Sequence, residues 1–270
     1  MNDAPSSTYA ASSGAAYDAF LGRWTRRLAS PLIDFARPPD SGDILDVGCG
    51  TGSLTFALAD RYPHRSVTGI DIAPDYVAHA HAQARAGRPI FEPGDATRLR
   101  WSDGAFAAVF AQLVLNFIPD AAAAAREMRR VTRRGGPLIA AVWDFRGGLV
   151  YQRMLWDTLA AFDPGAATVR DRLFSHRLAL PGGLGELWRS IGLVEVEQDS
   201  ITIRMEFADF ADYWEPLLGG QGPVGTYVQG LPLAMQVAAR ERVRAAYLSG
   251  AADGGRSLTA TAWTVRGIVP

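Results

Sequence analysis

The sequence predicts an α/β fold in which a doubly wound, mostly parallel β-sheet carries helices on both faces. The first observation is that short apolar runs alternate with helical patterns between residues 44 and 143. The second is that the first apolar run ends in glycines at alternate positions, directly before a helical pattern. Strands joined by helices run parallel, and a parallel sheet is covered on both faces. The chain of 270 residues, 48% of them hydrophobic, can bury such a core.

The first predicted strand and the turn after it are the strongest local signal. Residues 44–47 form a short apolar strand, and residues 53–61 have a helical pattern. Gly48, Gly50 and Gly52 stand between these two elements. Glycines let the backbone turn sharply and let a ligand approach more closely than any side chain would permit. The stretch is therefore predicted to cradle a nucleotide-like ligand.

The second predicted strand, residues 66–72, ends in an acid. Asp71 follows Gly52 by about 20 residues, the spacing at which an acid holds a ribose in a βαβ nucleotide site. A carboxylate at that place can accept two hydrogen bonds from a vicinal diol. Pro74 can start the next helix. Asp71 is therefore a candidate ribose ligand.

Three further strands complete the predicted parallel part of the sheet. Residues 90–96 form the third strand, residues 106–111 a buried fourth strand and residues 137–143 the fifth. The alanine-rich run from Ala121 is a helix that ends at the glycine pair beginning with Gly135. Ligands of such sheets bind at the carboxyl ends of the strands. We therefore expect the site to lie at that edge.

The remaining segments divide the chain around this core. The predicted division is a disordered N-terminus at 1–16, a ligand-binding core at 17–145 that opens with an amphipathic helix over 17–35, a helical insertion at 146–190, a core strand at 191–207, a second helical insertion at 208–256 and a C-terminal core strand at 257–270. Residues 219–223 are expected to form a flexible loop.

Composition and charge exclude several functional classes. The formal net charge is −1 and the 27 basic residues are all arginine, which argues against nucleic acid, Schiff-base chemistry and lysine-dependent phosphate loops. Cys49 is the only cysteine, so disulfides and cysteine-based zinc sites are excluded, and we expect no metal. Residues 1–16 resemble neither a signal peptide nor a membrane anchor. We expect a soluble, cytoplasmic protein that binds no membrane, and the oligomeric state stays open.

The glycine turn resembles motif I of class I S-adenosylmethionine (SAM) dependent methyltransferases. That motif has an acid, an apolar residue and then Gly-x-Gly-x-Gly, and Asp46 stands here as the acid. The resemblance implies that Asp46 faces the ammonium of SAM, that Asp71 holds its ribose and that Asp95 receives its adenine amino group. It also implies a Rossmann-like, seven-stranded sheet closed by an antiparallel C-terminal strand pair, with the insertions forming a helical lid.

The resemblance further implies a set of cofactor-binding residues. The N-terminal helix of many small-molecule methyltransferases caps the cofactor, which points to Tyr17, Arg23 and Trp24, although simple core packing is the alternative for Trp24. The implied SAM-binding residues are Tyr17, Arg23, Trp24, Asp46, Gly48, Cys49, Gly50, Gly52, Asp71, Ile72, Asp95, Ala96 and Gln112. The product would be S-adenosylhomocysteine, and the expected partner is a small or medium, partly apolar acceptor.

The sequence names no catalytic residue firmly. A sulfonium methyl group is already a good electrophile, so such an enzyme needs mainly an in-line nucleophile and the exclusion of water. Asn116, Asp144, Tyr151 and His176 are candidates by location alone. Many relatives carry a histidine near the position of Asn116, and its absence here argues against a histidine base.

Two other functions stay open at this point. An NAD(P)-dependent oxidoreductase shares the strand, glycine turn and ribose acid, but Ser53 replaces its third glycine. In such an enzyme Asp46 would also face the pyrophosphate unfavourably. A non-catalytic SAM or nucleotide binding protein would carry the same cofactor motifs.

Overall fold

The computed structural model describes residues 7–11 and 13–270. Helical segments precede the sheet. Helix α1 spans Gly14–Tyr17 and begins at Ser13, whose Oγ accepts a hydrogen bond from the first turn. A π-helical turn over Asp18–Gly22 follows, and α2 spans Arg23–Ala36. The predicted helix over 17–35 is thus interrupted near its start by a turn of wider pitch.

The parallel core alternates strands with helices as the sequence predicts. Its elements are β1 Ile44–Val47, α3 Ser53–Arg61, β2 Val67–Asp71, α4 Pro74–Gln83, β3 Ile90–Pro93, β4 Ala108–Gln112, α5 Ala121–Val131 and β5 Pro137–Trp143. Every residue of β1, β4 and β5 is buried, because helices cover both faces of these strands. Asp120 caps α5 by accepting a hydrogen bond from Ala123 N.

Two helical insertions and two long strands follow the parallel core. Their elements are α6 Val150–Ala160, α7 Pro164–Phe174, α8 Gly183–Ser190, β6 Val194–Phe207, α9 Phe210–Trp214, α10 Gly222–Gly230, α11 Leu233–Leu248 and β7 Arg256–Ile268. The rings of Tyr151, Phe207 and Tyr213 lie 5.3–6.2 Å apart, so aromatic side chains join the two insertions to the sheet.

The strands of the described residues form one seven-stranded sheet in the order β3-β2-β1-β4-β5-β7-β6. Neighbours among β1 to β5 run parallel, and β7 is antiparallel to both β5 and β6. The predicted fold class, with its antiparallel C-terminal pair, is confirmed. The strand order reverses between β1 and β4, and ligands of such sheets bind at that point, outside the carboxyl ends of the strands.

The N-terminal segment differs from the disorder that the sequence predicts for residues 1–16. Thr8 N donates a hydrogen bond to Phe117 O at 2.8 Å, and Ala10 O accepts one from Gly222 N at 3.2 Å. The ring of Tyr9 packs edge-on against Phe117. The prediction of disorder rested on a composition rich in Ser and Ala, but the described part of the segment is held by contacts with distant parts of the chain. Residues 1–6 and 12 lie outside the described residues.

The glycine-rich stretch at 219–223 also differs from the expected flexible loop. Gln221 is fully buried, and its Nε2 donates a hydrogen bond to Gly219 O. The next residue, Gly222, already begins α10.

In the described part of the chain, no helix combines the length and apolar character needed to cross a membrane.

Candidate functional site

A cavity of about 480 Å³ opens at the carboxyl ends of β1, β2 and β4. Its size is typical of sites for small molecules and cofactors. Strand ends and the turns after them form one part of the wall, and the N-terminal segment forms another part together with Leu113, Val114, Phe117 and Ile118. The cavity therefore lies where the strand order reverses, as the sequence predicts.

The glycine turn brings bare backbone to the cavity. Gly48 has a φ of +72° and Gly50 a φ of +55°, a region that side chains other than glycine rarely adopt. A Cβ atom at Gly48 would lie 2.4 Å from Val114, whereas a Cβ at Gly50 would meet no atom within 4 Å. Gly50 lines the cavity, so a side chain there would extend into the space that a ligand needs.

Asp71 lies next to the glycine turn and is hydrogen-bonded to its backbone. Its Oδ2 accepts a hydrogen bond from Gly50 N and its Oδ1 one from Ala73 N, both at 2.9 Å. Burial raises the pKa of the carboxyl, and these backbone hydrogen bonds oppose the rise. Each oxygen of a carboxylate can accept a second hydrogen bond. Asp71 is thus fixed in place and retains acceptor capacity for a ligand.

Asp46 and Gln112 leave buried acceptors without partners. Asp46 is 1% exposed, and its Oδ2 accepts a 2.6 Å hydrogen bond from Thr55 Oγ1. Gln112 Nε2 donates to Thr25 O at 3.1 Å. Asp46 Oδ1 and Gln112 Oε1 have no hydrogen-bond partner among the described residues, although both side chains line the cavity. Buried acceptors of this kind need a donor, and a cationic N–H group would satisfy them.

Burial raises the pKa of the Asp46 carboxyl to about 7. In the unfolded chain an aspartate has a pKa of about 4. Between these values the folded state binds the proton more tightly, so stability is lost as the pH rises from about 4 to about 7. We expect Asp46→Asn, which carries no charge, to become more stable relative to the wild type across this window by about 1 kcal/mol per pH unit.

Urea unfolding of both ligand-free proteins at several pH values measures this difference. Asp34→Asn is the control, because Asp34 lies on α2 in an exposed ion pair with Arg61. A difference between Asp46→Asn and the wild type that stays constant from pH 4 to 8 would contradict the raised pKa.

Asp95, Ile72 and Ala96 form the far end of the cavity. Asp95 Oδ1 accepts hydrogen bonds from Thr97 N at 2.8 Å and Thr97 Oγ1 at 2.7 Å, which fix the turn after β3. Ile72 is 43% exposed, a high value for an isoleucine. An apolar rim beside a carboxylate suits a flat ligand that has both an apolar face and polar edges.

Four aromatic rings form the opposite wall. The ring of Tyr9 lies 4.9 Å from Phe117 and 6.3 Å from Tyr17, and the ring of Tyr17 lies 5.2 Å from Tyr76. Tyr76 donates a 2.5 Å hydrogen bond from its hydroxyl to Gln221 Oε1. Burial raises the pKa values of all three tyrosines, which therefore stay protonated near neutral pH.

The structure gathers most of the predicted cofactor residues but not all. The predicted residues that line the cavity are Tyr17, Asp46, Gly48, Cys49, Gly50, Asp71, Ile72, Asp95, Ala96 and Gln112. Gly52 instead caps α3, where an added Cβ would lie 2.8 Å from the rings of Phe56 and Phe91.

Arg23 and Trp24 lie outside the cavity, contrary to expectation. Arg23 forms a 2.9 Å ion pair with Asp212 and lies over the ring of Trp24. Trp24 is buried and packs against Phe207. The π-helical turn after Tyr17 changes the helical register, so these two side chains join α2 to β6 and the second insertion. The packing alternative for Trp24 is the one that the structure shows.

The catalytic candidates do not line the cavity either. Asp144 accepts hydrogen bonds from Arg146 N and Gly147 N and thereby fixes the turn after β5. Tyr151 is buried among aromatic rings and accepts a hydrogen bond from Gln152. His176 lies between α7 and the short helical turn before α8, where burial lowers its pKa. Asn116 lies in the single helical turn after β4, whose neighbouring Phe117 lines the cavity instead.

Sequence reasoning did not find Tyr9, Tyr76 or Phe117. Tyr76 had a usable signal, because it lies in the first turn of the helix that follows Asp71. Phe117 directly follows Asn116, which is a catalytic candidate by its location in the sequence. Tyr9 had none, because its place in the cavity wall depends on packing against the distant Phe117 as well as the nearby Tyr17.

Comparisons with known proteins relate this chain to methyltransferases. Residues 44–136 match a family model described as a methyltransferase domain. The chain is 30% identical to nocamycin O-methyltransferase of Saccharothrix syringae over 216 residues, which cover 73% of this chain and 76% of that enzyme. It is 34% identical to a demethylmenaquinone methyltransferase of Roseiflexus castenholzii over 124 residues, 44% of this chain and 52% of that relative, so it spans only about half of that enzyme.

Solved structures show the same fold. Phosphoethanolamine N-methyltransferase 2 of Haemonchus contortus, in complex with S-adenosyl-L-methionine, superimposes with a TM-score of 0.59 at 14% identity. The match covers 95% of this chain and 56% of that chain. Because the nocamycin enzyme is matched over about three quarters of its length at 30% identity, this chain belongs to the class I methyltransferases, whose cofactor is S-adenosylmethionine.

Proposed function

We propose that this enzyme transfers a methyl group from SAM to a small or medium, partly apolar acceptor by in-line displacement. The observation that carries the proposal is that one cavity joins two chemically different walls. One wall has bare glycine backbone and the carboxylates of Asp46, Asp71 and Asp95. The other has the aromatic rings of the N-terminal segment, α4 and the turn after β4. The first suits a cationic nucleoside, and the second suits an apolar acceptor.

The wall that carries the three carboxylates, called here the acidic wall, has groups that suit each part of the cofactor. Asp71, held by two backbone N–H groups, is placed to accept hydrogen bonds from the ribose hydroxyls. Asp46 and Gln112, with their unpartnered oxygens, suit the ammonium of the methionine part. Asp95 and the apolar Ile72 suit the adenine ring. When bound, SAM supplies an electrophilic methyl group on its sulfonium.

The wall formed by the rings of Tyr9, Tyr17, Tyr76 and Phe117, called here the aromatic wall, would hold the acceptor and exclude water. Placing a nucleophile in line with the methyl group, in a dry site, can supply most of the rate acceleration. The hydroxyls of Tyr9, Tyr17 and Tyr76 have raised pKa values, so near neutral pH they donate hydrogen bonds rather than remove protons. We therefore expect acceptors that are nucleophilic without a strong protein base, such as carboxylates, amines and readily ionised enols or phenols.

Calorimetric titration with SAM, S-adenosylhomocysteine and NAD tests the cofactor assignment. We expect binding of the first two and none of NAD. Release of S-adenosylhomocysteine is then measured with a panel of carboxylic acids, hydroquinones and aliphatic amines of small and medium size. Turnover of at least one class supports the proposal. SAM binding with no turnover across the panel would favour a non-catalytic binding protein, and preferred turnover of a folded macromolecule would contradict a small-molecule site.

That the protein binds neither nucleic acid nor a membrane remains a prediction from the sequence. Its cytoplasmic location also remains a prediction.

A further inference from the structure

One carboxylate outside the cavity joins three of the elements that build its walls. Asp18, the first residue of the π-helical turn, accepts a hydrogen bond from Thr51 Oγ1 at 2.7 Å. Its second oxygen lies 3.1 Å from Nε2 of His79. Thr51 belongs to the glycine turn, and His79 lies on α4. Each element also gives the cavity a wall: Tyr17 directly precedes Asp18, Gly50 directly precedes Thr51, and Tyr76 lies one helical turn before His79.

Two glycines make room for this arrangement. A Cβ atom at Gly22 would lie 2.4 Å from Asp18 Oδ1, and a Cβ atom at Gly14 would lie 2.4 Å from Cβ of His79. Glycine is unfavourable inside a helix, because it loses much backbone freedom on folding. Gly14 therefore allows α1 to pack closely on α4, and Gly22 leaves room for the carboxylate of Asp18, both at the expense of local helix stability.

Tyr17 and Asp18 are adjacent in the chain, where α1 ends and the π-helical turn begins, but their side chains have different partners. Tyr17 lines the cavity with its ring 5.2 Å from that of Tyr76, whereas Asp18 is directed to Thr51 and His79. Turns of this type inside helices are frequent at functional sites. The turn thus lets one short segment form a wall of the cavity and bind the glycine turn at the same time.

Thr51 depends on this contact. Its side chain is 3% exposed, and a buried hydroxyl needs a hydrogen-bond partner. The carboxylate of Asp18 is 21% exposed and lies 3.7 Å from the guanidinium of Arg26 as well. A hydrogen bond from a buried hydroxyl to a carboxylate is among the stronger kinds in proteins. Asp18 therefore helps to fix the position of the glycine turn relative to the N-terminal helices, together with the 2.8 Å hydrogen bond between Thr25 Oγ1 and Ser53 Oγ.

We propose that Asp18 is a positioning residue for cofactor binding, which acts through Thr51 to hold the glycine turn at a fixed distance from Tyr17. The inference rests on the proposed cofactor site. It assigns a role to a residue that does not touch the cavity. Loss of the carboxylate would let the two walls move apart, so the cofactor would lose affinity while the fold persists.

Calorimetric SAM titration and thermal unfolding of matched variants test the proposal. We expect Asp18→Ala to weaken SAM binding by roughly ten-fold, the loss of one hydrogen bond to a charged group. Asp18→Asn keeps an oxygen that can accept from Thr51, so its affinity should lie between those of Asp18→Ala and the wild type. Thr51→Val cuts the same contact from the other side and replaces Asp18→Ala in the test if that variant does not fold.

A double-mutant cycle shows whether Asp18 acts through Thr51. If it does, Asp18→Ala combined with Thr51→Val should bind SAM no more weakly than Asp18→Ala alone. Val243→Ala is the stability control, because Val243 is fully buried on α11, away from the cavity. It should lower the melting temperature and leave SAM affinity unchanged.

Three results would overturn the proposal while the proposed function stands. These are unchanged SAM affinity in Asp18→Ala, additive losses in the double variant, and an affinity loss in Val243→Ala that follows its melting temperature in the same proportion as in Asp18→Ala. A wild-type protein that binds neither SAM nor S-adenosylhomocysteine would instead overturn the proposed function and this inference together.

Discussion

Asp71→Ala is expected to reduce SAM affinity below detection while the protein stays folded. The carboxylate of Asp71 is fixed by Gly50 N and Ala73 N and lines the cavity. If it holds both ribose hydroxyls, the change removes two hydrogen bonds to a charged acceptor, each worth about 1.5–3 kcal/mol. Together they correspond to a loss of roughly a hundred-fold or more.

Calorimetric titration measures this effect, with circular dichroism to verify the fold. Asp75→Ala is a close control, because Asp75 lies in the first turn of α4 but is exposed and outside the cavity. It should bind SAM like the wild type. Unchanged affinity in a folded Asp71→Ala protein would contradict the assignment of Asp71 to the ribose.

Gly50→Val is expected to prevent SAM binding for a different reason. The open space around a Cβ at Gly50 is cavity space, so the branched side chain would occupy the position of the cofactor. No attractive group is removed, and the loss would come from steric exclusion alone. The change also strains the backbone, because Gly50 has a φ of +55°.

The control must carry the same backbone strain without entering the cavity. Gly135 has a φ of +73°, and a Cβ there meets no atom within 4 Å, yet it lies in the turn before β5. Gly135→Val should therefore lower the melting temperature and still bind SAM. Equal SAM binding by a folded Gly50→Val protein would show that the glycine turn does not cradle the cofactor.

The sequence predicts the parts of this fold that depend on neighbouring residues. The strand before Gly48, the helix from Ser53 and the acid at the end of β2 are local signals, because turn chemistry and helix starts involve only a few adjacent positions. Their convergence on one cavity follows from the geometry of a parallel sheet. The proposed cofactor-binding residues in these elements could therefore be predicted from the sequence.

The rest of the site depends on long-range packing that the sequence pattern does not encode. The family resemblance placed Arg23 and Trp24 with Tyr17 at the cofactor, but the π-helical turn between them changes which side of the helix faces the cavity. Tyr9 lies in a polar segment whose structure depends on contacts with Phe117 and Gly222. Such contacts are decided by tertiary structure rather than by local propensity.

The strand order also bears on the synthesis of the chain. β6 leaves the ribosome before β7, yet the sheet order places β7 between β5 and β6. β6 therefore lacks the strand with which it pairs until β7, Arg256–Ile268, has been made and inserted beside β5. The parallel strands β1 to β5 all precede β6 in the chain, whereas the antiparallel strand pair can be completed only after β7 has been made. Loss of that single strand would detach a second one whose own sequence is intact.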